Sequence, residues 1–192
     1  MNALIGIVTC DKNQARAQAC RDMWVPELID RGFDVKFFLG KQERETYQGE
    51  VFLDCPDDYE GLPAKVKAIC GWAVEQKYET VLKVDDDSYI NSDRLVVPEN
   101  AKYAGLAALR RGLPNYPDGL TYCSGGGYWL RDEAIQLVAD APLVEGESVE
   151  DRWVGSVMKQ HNIQPTKLEH YIAPRKSVFY RSDFIVLMRW GT

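Results

Sequence analysis

The sequence predicts one α/β domain built on a mixed, mainly parallel sheet flanked by helices, and three observations carry that prediction. Strand-like apolar runs alternate with helical apolar stripes in the order β-α-β-β-α-β through the first half, the pattern of helices packed on a parallel sheet. The 192 residues are enough to bury a sizeable core. No stretch is repetitive, low in complexity or long and polar enough to serve as a linker, so residues 1–192 form a single domain.

The elements follow in chain order. The apolar run "ALIGIV" is a buried strand that begins almost at the first residue. In "DKNQARAQACRDMW", Ala15, Ala19 and Met23 recur at helical spacing; Pro26 kinks or restarts that helix and Gly32 ends it. "DVKFFLG" supplies a second strand and "VFLD" a short third. The clearest helix is "LPAKVKAICGWAVEQK", where Val66, Ile69, Cys70, Ala73 and Val74 fall on one buried face. "TVLKV" is the next strand. Beyond it, "KYAGLAALRRG" and "GLTYCSGGGYWLR" read as strands around the loop "LPNYPDG". "DEAIQLVAD" is a short helix with Ala134, Leu137 and Val138 on one face, "SVEDRWVGSVMKQHN" a further helix, and "DFIVLM" a last strand.

Composition narrows the function. A formal net charge of −6 argues against nonspecific binding to nucleic acid or anionic membrane, which needs a basic face. The start "MNALIGIVTC" lacks the flanks of a signal peptide, and no apolar segment approaches the roughly 20 residues of a membrane span. Five scattered cysteines without a CxxC pair suit a reduced, cytosolic chain. Zinc spacing, a GxSxG elbow, a P-loop and a strand-turn-helix GxGxxG are all missing.

The chemistry-bearing stretches are few. "KVDDDSYIN" places Asp85, Asp86 and Asp87 at the C-terminal end of a strand, where open α/β sheets bind ligands. Alternation along the backbone sends Asp85 and Asp87 one way and Asp86 the other. Such a set either dissolves in a surface turn or shares a hard cation with a ligand. Gly125, Gly126 and Gly127 in "YCSGGGYWL" permit close backbone approach to a ligand, or mark a bulge in a strand, which is the stronger reading of the run alone. Ser148 and Asp151 in "SVED" match a capping box at a helix start, while Asp151 in a cleft would be a general base. Of the two histidines, His161 continues an apolar helical face and reads as a core residue. His170, in an irregular stretch, is the better ligand. Arg16, Arg21 and Lys65 bring cations near the carboxyl edge of the sheet, for phosphate or for solvent.

In order, these pieces resemble the β-1,3-galactosyltransferase/Fringe family of glycosyltransferases, which have the Rossmann-like GT-A fold. "IGIVTCDKNQARAQACRDMW" is similar to the family's first strand, arginine-bearing helix and closing tryptophan, and "VKFFLG" to its second strand. "DDYEGLPAKVKAICGW" has Asp57, Tyr59, Leu62 and Lys65 in register with its D-x-Y-x-x-L-x-x-K segment. "KVDDDSYIN" corresponds to its DxD metal site, "YCSGGGYWLR" to its acceptor-side glycine motif, and "VEDRWVG" to its E-D-x-x-x-G motif. The six matches are collinear over nearly the whole chain.

The resemblance implies an inverting hexosyl transfer from a nucleotide sugar, usually a UDP-sugar, with Mn2+ or Mg2+ as the ion. It divides the domain into a nucleotide-sugar part at about residues 1–90 and an acceptor part at about residues 91–192. Asp87 would be the main protein ligand of the ion, with Asp85 and His170 joining it. Asp85 and Asp86 would contact the ribose or donor sugar. Thr9, Arg16, Asp57 and Lys65 would form the nucleotide pocket, Gly126 and Gly127 would line the site, and Asp151 would deprotonate the acceptor. The acceptor is expected on a glycan or protein, or as a hydroxyl on a DNA base. Family members commonly carry a membrane anchor, a stem and paired lumenal cysteines; lacking them, this chain is expected to be a bacterial or viral protein acting in the cytoplasm. In some members the metal histidine sits in the last strand, where this chain has Met188 and Arg189. Two other classes fit less well: a sugar-nucleotide nucleotidyltransferase, which would show a glycine-rich basic loop after the first strand, and a binding module that has lost catalysis.

Overall fold

The structure is a computed structural model that describes residues 2–109, 120–168 and 186–187. Its elements are β1 (Ala3–Val8), α1 (Gln14–Met23), α2 (Val25–Asp30), β2 (Asp34–Leu39), β3 (Glu50–Phe52), α3 (Leu62–Glu75), β4 (Thr80–Asp85), β5 (Tyr89–Ile90), β6 (Tyr103–Leu109), β7 (Thr121–Arg131), α4 (Glu133–Asp140), α5 (Glu150–Gln160), β8 (Thr166–Lys167) and β9 (Val186–Leu187). Seven strands form one sheet in the order β3-β2-β1-β4-β7-β6-β8. Parallel pairing joins β3 to β2, β2 to β1, β1 to β4 and β6 to β8, while β7 runs antiparallel to both β4 and β6. β5 pairs with β9 in a separate two-stranded ribbon.

Every residue of β1 is buried because helices cover both faces of its sheet, which is why it reads as an unbroken apolar run. Alternate strand residues divide the core in two. Leu4, Phe38, Val81, Tyr128 and Leu130 pack under α3, α4 and α5. Ile5, Ile7, Phe37, Leu82, Val84 and Trp129 pack under α1 and α2. Gly6 brings α3 close: a Cβ there would meet Phe38 at 3.3 Å and Ile69 at 3.6 Å.

Several expectations shift by a turn or a face. In α1 the inward residues are Ala17, Cys20 and Arg21, with Trp24 just beyond; Ala15 and Met23 are exposed. The alanine stripe has too little apolar area to compete with Trp24 and Cys20 for the core. Pro26 lies in the first turn of α2, and Gly32 follows that helix at a φ of +84°, as anticipated. α5 starts one residue later than the "SVED" capping box suggested: Val149 is its N-cap and no side chain caps it, so Ser148 forms no capping box with Asp151. α5 also stops at Gln160, which turns His161 out to solvent rather than into the core. The bulge expected at the glycine run exists. β6 pairs Gly105 with Tyr128 and then Ala107 with Cys123, so the ladder breaks opposite residues 124–127.

All five cysteines are thiols. Among the described residues no helix is long and apolar enough to cross a membrane. Of the expected last strand only Val186–Leu187 is described. The loop "LPNYPDG", Met188 and Arg189 lie outside the described residues.

Candidate active site

Strand order places the site. From β1 the chain moves to β2 and β3 on one side, then crosses back through α3 to β4 on the other. The carboxyl ends of β1 and β4 therefore diverge into a crevice, the switch point at which such sheets bind ligands. Thr9 directly follows β1; Asp85 ends β4, and Asp86 and Asp87 lie in the turn after it.

The three acids have different surroundings. Asp86 is buried, accepts a hydrogen bond from Thr9 Oγ1 at 2.7 Å and has Arg16 at 3.7 Å. Burial pushes its carboxyl above the usual range, against the pull of Thr9, Asn13 and Arg16. Asp85, the last residue of β4, and Asp87, in the turn after it, are half-buried, so the strand alternation expected from the sequence does not extend past Asp85. Asp85 faces the α3–α5 side, where its Oδ1 meets Lys83 Nζ at 2.7 Å.

Lys83 organises the other half. Its Nζ also lies 2.8 Å from Glu150 Oε1 and donates to the Gly125 carbonyl at 2.6 Å. Glu150, the first residue of α5, accepts a second hydrogen bond from Tyr128 Oη at 2.9 Å. Burial raises the Glu150 carboxyl well above its ordinary value; Lys83 opposes this, and the nearby charges of Asp151 and Asp85 add to it. Lys83 itself is held protonated, because Asp85 and Glu150 outweigh the effect of its burial. Asp151 accepts from the Gly125 N–H at 2.8 Å. Its carboxyl is also shifted up, by burial first, against Gly125 and Lys83. Ser88 Oγ donates to the Gly126 carbonyl at 2.9 Å, tying the turn after the acids to the glycine run. Gly127 lies within the sheet opposite Val84.

Asp57 and Lys65 sit at the β1 rim as an internal clamp. Lys65 is fully buried and donates to Asp57 Oδ1 at 2.7 Å and to the Thr9 carbonyl at 2.8 Å. Asp57 also accepts from the N–H groups of Gly40 at 2.6 Å and Asp11 at 2.8 Å, and from Gln42 at 2.8 Å. Burial would raise its carboxyl, but Lys65 and the two N–H groups win and hold it below the ordinary value. The pair thus shapes the loops after β1 and β2, and the exposed Tyr59 lies beside it in sequence.

The fold brings Thr9, Arg16, Asp85, Asp86, Asp151 and the glycine run to one sheet edge, with Asp87 beside them in the chain. His170 lies outside the described residues. Lys83, Glu150 and Ser88 went unnoticed in the sequence. A lone lysine in the apolar strand "TVLKV", two residues before Asp85 and so on its face, was the signal for the first. Glu150 was masked by its place in an apparent capping box.

Among the described residues the candidate donors, Asp85 and Asp87, are carboxylate oxygens, which suit a hard divalent ion. Among the described residues no group of three or more His, Cys, Asp or Glu side chains is placed to cage a metal. An ion here would complete its shell with substrate phosphate and water, as Mg2+ and Mn2+ do.

A model of the Galactosyltransferase family matches residues 16–102, from α1 to the residue before β6. The chain is 33% identical over 125 residues to β-1,3-galactosyltransferase 6 of Mus musculus, covering 60% of this chain and 36% of that one. It is 28% identical over 122 residues to the UDP-GalNAc:β-1,3-N-acetylgalactosaminyltransferase 2 of Xenopus laevis, covering 53% and 24%. The chain thus spans about a quarter to a third of these relatives. Among solved structures, a mutant Drosophila β1,4-galactosyltransferase 7 in complex with manganese, UDP-Gal and xylobiose aligns with a TM-score of 0.56 at 12% identity, over 88% of this chain and 66% of that one. At that identity the likeness is one of fold.

Proposed function

We propose that the chain, which is similar to β-1,3-galactosyltransferases and has the GT-A fold, is a glycosyltransferase of that family that moves a hexose from a UDP-sugar to an acceptor hydroxyl with inversion. One observation supports this above the rest: Asp85 at the end of β4 and the carboxylate of Asp151 on α5 are joined through a single lysine and a single glycine. Donor-side and acceptor-side groups are thereby held at one sheet edge.

On the donor side, Asp87 with Asp85 would hold a divalent ion against the diphosphate, while Thr9 and Arg16 fix Asp86 toward the nucleotide. When bound, Mn2+ or Mg2+ neutralises charge that develops on the departing diphosphate. On the acceptor side, Asp151 takes the proton of the hydroxyl as its oxygen attacks the anomeric carbon. The C–O bond to the diphosphate breaks on the opposite face, so one base suffices and no covalent intermediate forms. The raised carboxyl of Asp151 brings its basicity closer to that of the proton it must accept. The acceptor is a sugar or protein hydroxyl.

The test is a panel of nucleotide sugars incubated with the protein and Mn2+, with nucleotide release and thermal shift as readouts. UDP-galactose should release UDP, and chelator should stop it. A chain that releases no nucleotide from any UDP-sugar, with sugars and glycopeptides offered as acceptors, is not this enzyme.

A further inference from the structure

We propose that Lys83 and Glu150 are positioning residues that lock the base, Asp151, to the acids of β4 through the backbone of Gly125. The proposal rests on the role of Asp151 given above. Lys83 is 3% exposed, and each of its three protons has an acceptor: Asp85 at 2.7 Å, Glu150 at 2.8 Å and the Gly125 carbonyl at 2.6 Å. Gly125 turns its other polar group to Asp151, its N–H donating at 2.8 Å. Tyr128 holds Glu150 from the far side and is also the residue paired with Lys83 across the β4–β7 ladder. The glycine leaves room for both carboxylates, since a Cβ at Gly125 would crowd them, lying 3.3 Å from Glu150 Oε2 and 3.4 Å from Asp151 Oδ2.

Stability alone does not account for such a cluster. Desolvating a lysine and its carboxylates offsets most of their attraction, and apolar replacements of buried ion pairs are often as stable or more so. What the cluster does supply is registry. β4, β7 and α5 are separate elements, and one ammonium fixes all three at the point where Asp151 leaves the helix. A shift of about 1 Å in a reacting group costs on the order of a hundredfold in rate.

The test compares Glu150→Gln, Asp151→Asn and the double variant in the whole protein, with UDP-galactose and Mn2+ as the probe. Glu150→Gln should lower kcat by about tenfold to a hundredfold and leave both the KM for UDP-galactose and the Kd for UDP unchanged. The double variant should be no slower than Asp151→Asn, because Glu150 acts through Asp151. A second readout needs no turnover. The Gly125 amide proton, held by a carboxylate, should resonate downfield in the 15N-labelled protein and move upfield in Glu150→Gln. Full kcat in Glu150→Gln beside an inactive Asp151→Asn, or losses that multiply in the double variant, overturns the positioning role while leaving the base. An unmoved Gly125 amide in Glu150→Gln overturns it as well. Full kcat in Asp151→Asn removes the base and this proposal together. Should Glu150→Gln not fold, Tyr128→Phe takes away only the hydroxyl that holds Glu150, and the same outcomes decide.

Discussion

Gly155→Ala sets two known effects against each other, and the structure fixes the sign. Gly155 lies inside α5, where alanine is favoured over glycine by about 1 kcal/mol. On propensity the substitution should stabilise. Yet a Cβ at position 155 would overlap Cβ of Tyr122 and come 3.3 Å from its Cγ and 3.4 Å from its Cα. These atoms cannot give way: Tyr122 is 1% exposed on β7, and its Cα and Cβ move only with the strand. Carbon atoms rest at about 3.5–4.0 Å, so α5 must retreat from the sheet. Retreat lifts Trp153, Val154, Val157 and Met158 out of contact with the core they help form. Overpacking of this kind costs about 1–3 kcal/mol and outweighs the helical gain. For a chain of this length each kcal/mol is worth about 2–4 °C in Tm. Urea denaturation should therefore show a lower midpoint at unchanged slope. Activity should fall further than stability, because Asp151 moves away from Gly125 with its helix. A variant as stable as the wild type, or more so, would refute this packing of α5 on β7.

Three further outcomes follow from the same geometry. Asp151→Asn keeps an acceptor for the Gly125 N–H but cannot take a proton, so transfer should slow by about 10²–10⁴-fold with UDP binding unchanged. Its melting temperature at pH 7 should equal or exceed the wild type: burial raises the folded carboxyl, so its charge weakens the fold above the unfolded value of 3.8, and the advantage should vanish in melts below that pH. Asp57 behaves oppositely. Its carboxyl is depressed, so it contributes stability above 3.8 that is lost as pH falls through the lower folded value, and Asp57→Asn should be less stable at pH 7 with a shallower acid limb in pH-dependent melts. Mn2+ should raise the affinity for UDP by calorimetry, and Asp87→Ala should abolish the gain; equal affinity with chelator would remove the ion from the acid cluster.

The sequence by itself determined what local chemistry dictates. A six-residue apolar run is a strand buried on both faces, a 3.6-residue stripe is α3, and three acids behind "TVLKV" sit at a strand end. Resemblance over nearly the whole chain pointed to the family, and with it to Asp151 as the proposed base, which spacing alone would have left as a helix cap. Tertiary structure decided what depends on distant partners. It set β7 antiparallel beside β4, so that Gly125 reaches both Lys83 and Asp151. It turned Lys65, a cation that the sequence left for phosphate or for solvent, into the buried arm of a clamp on the half-buried Asp57. It also took Ser148 out of the cap and His161 out of the core, because α5 begins and ends where its packing on β7 allows. The physical reason is common to all of these. Periodicity is carried by neighbours in the chain, whereas a buried charge is tolerable only where its partners arrive, and those of Lys83 are a carboxylate of its own strand, a carboxylate at the start of α5 and a backbone carbonyl of β7.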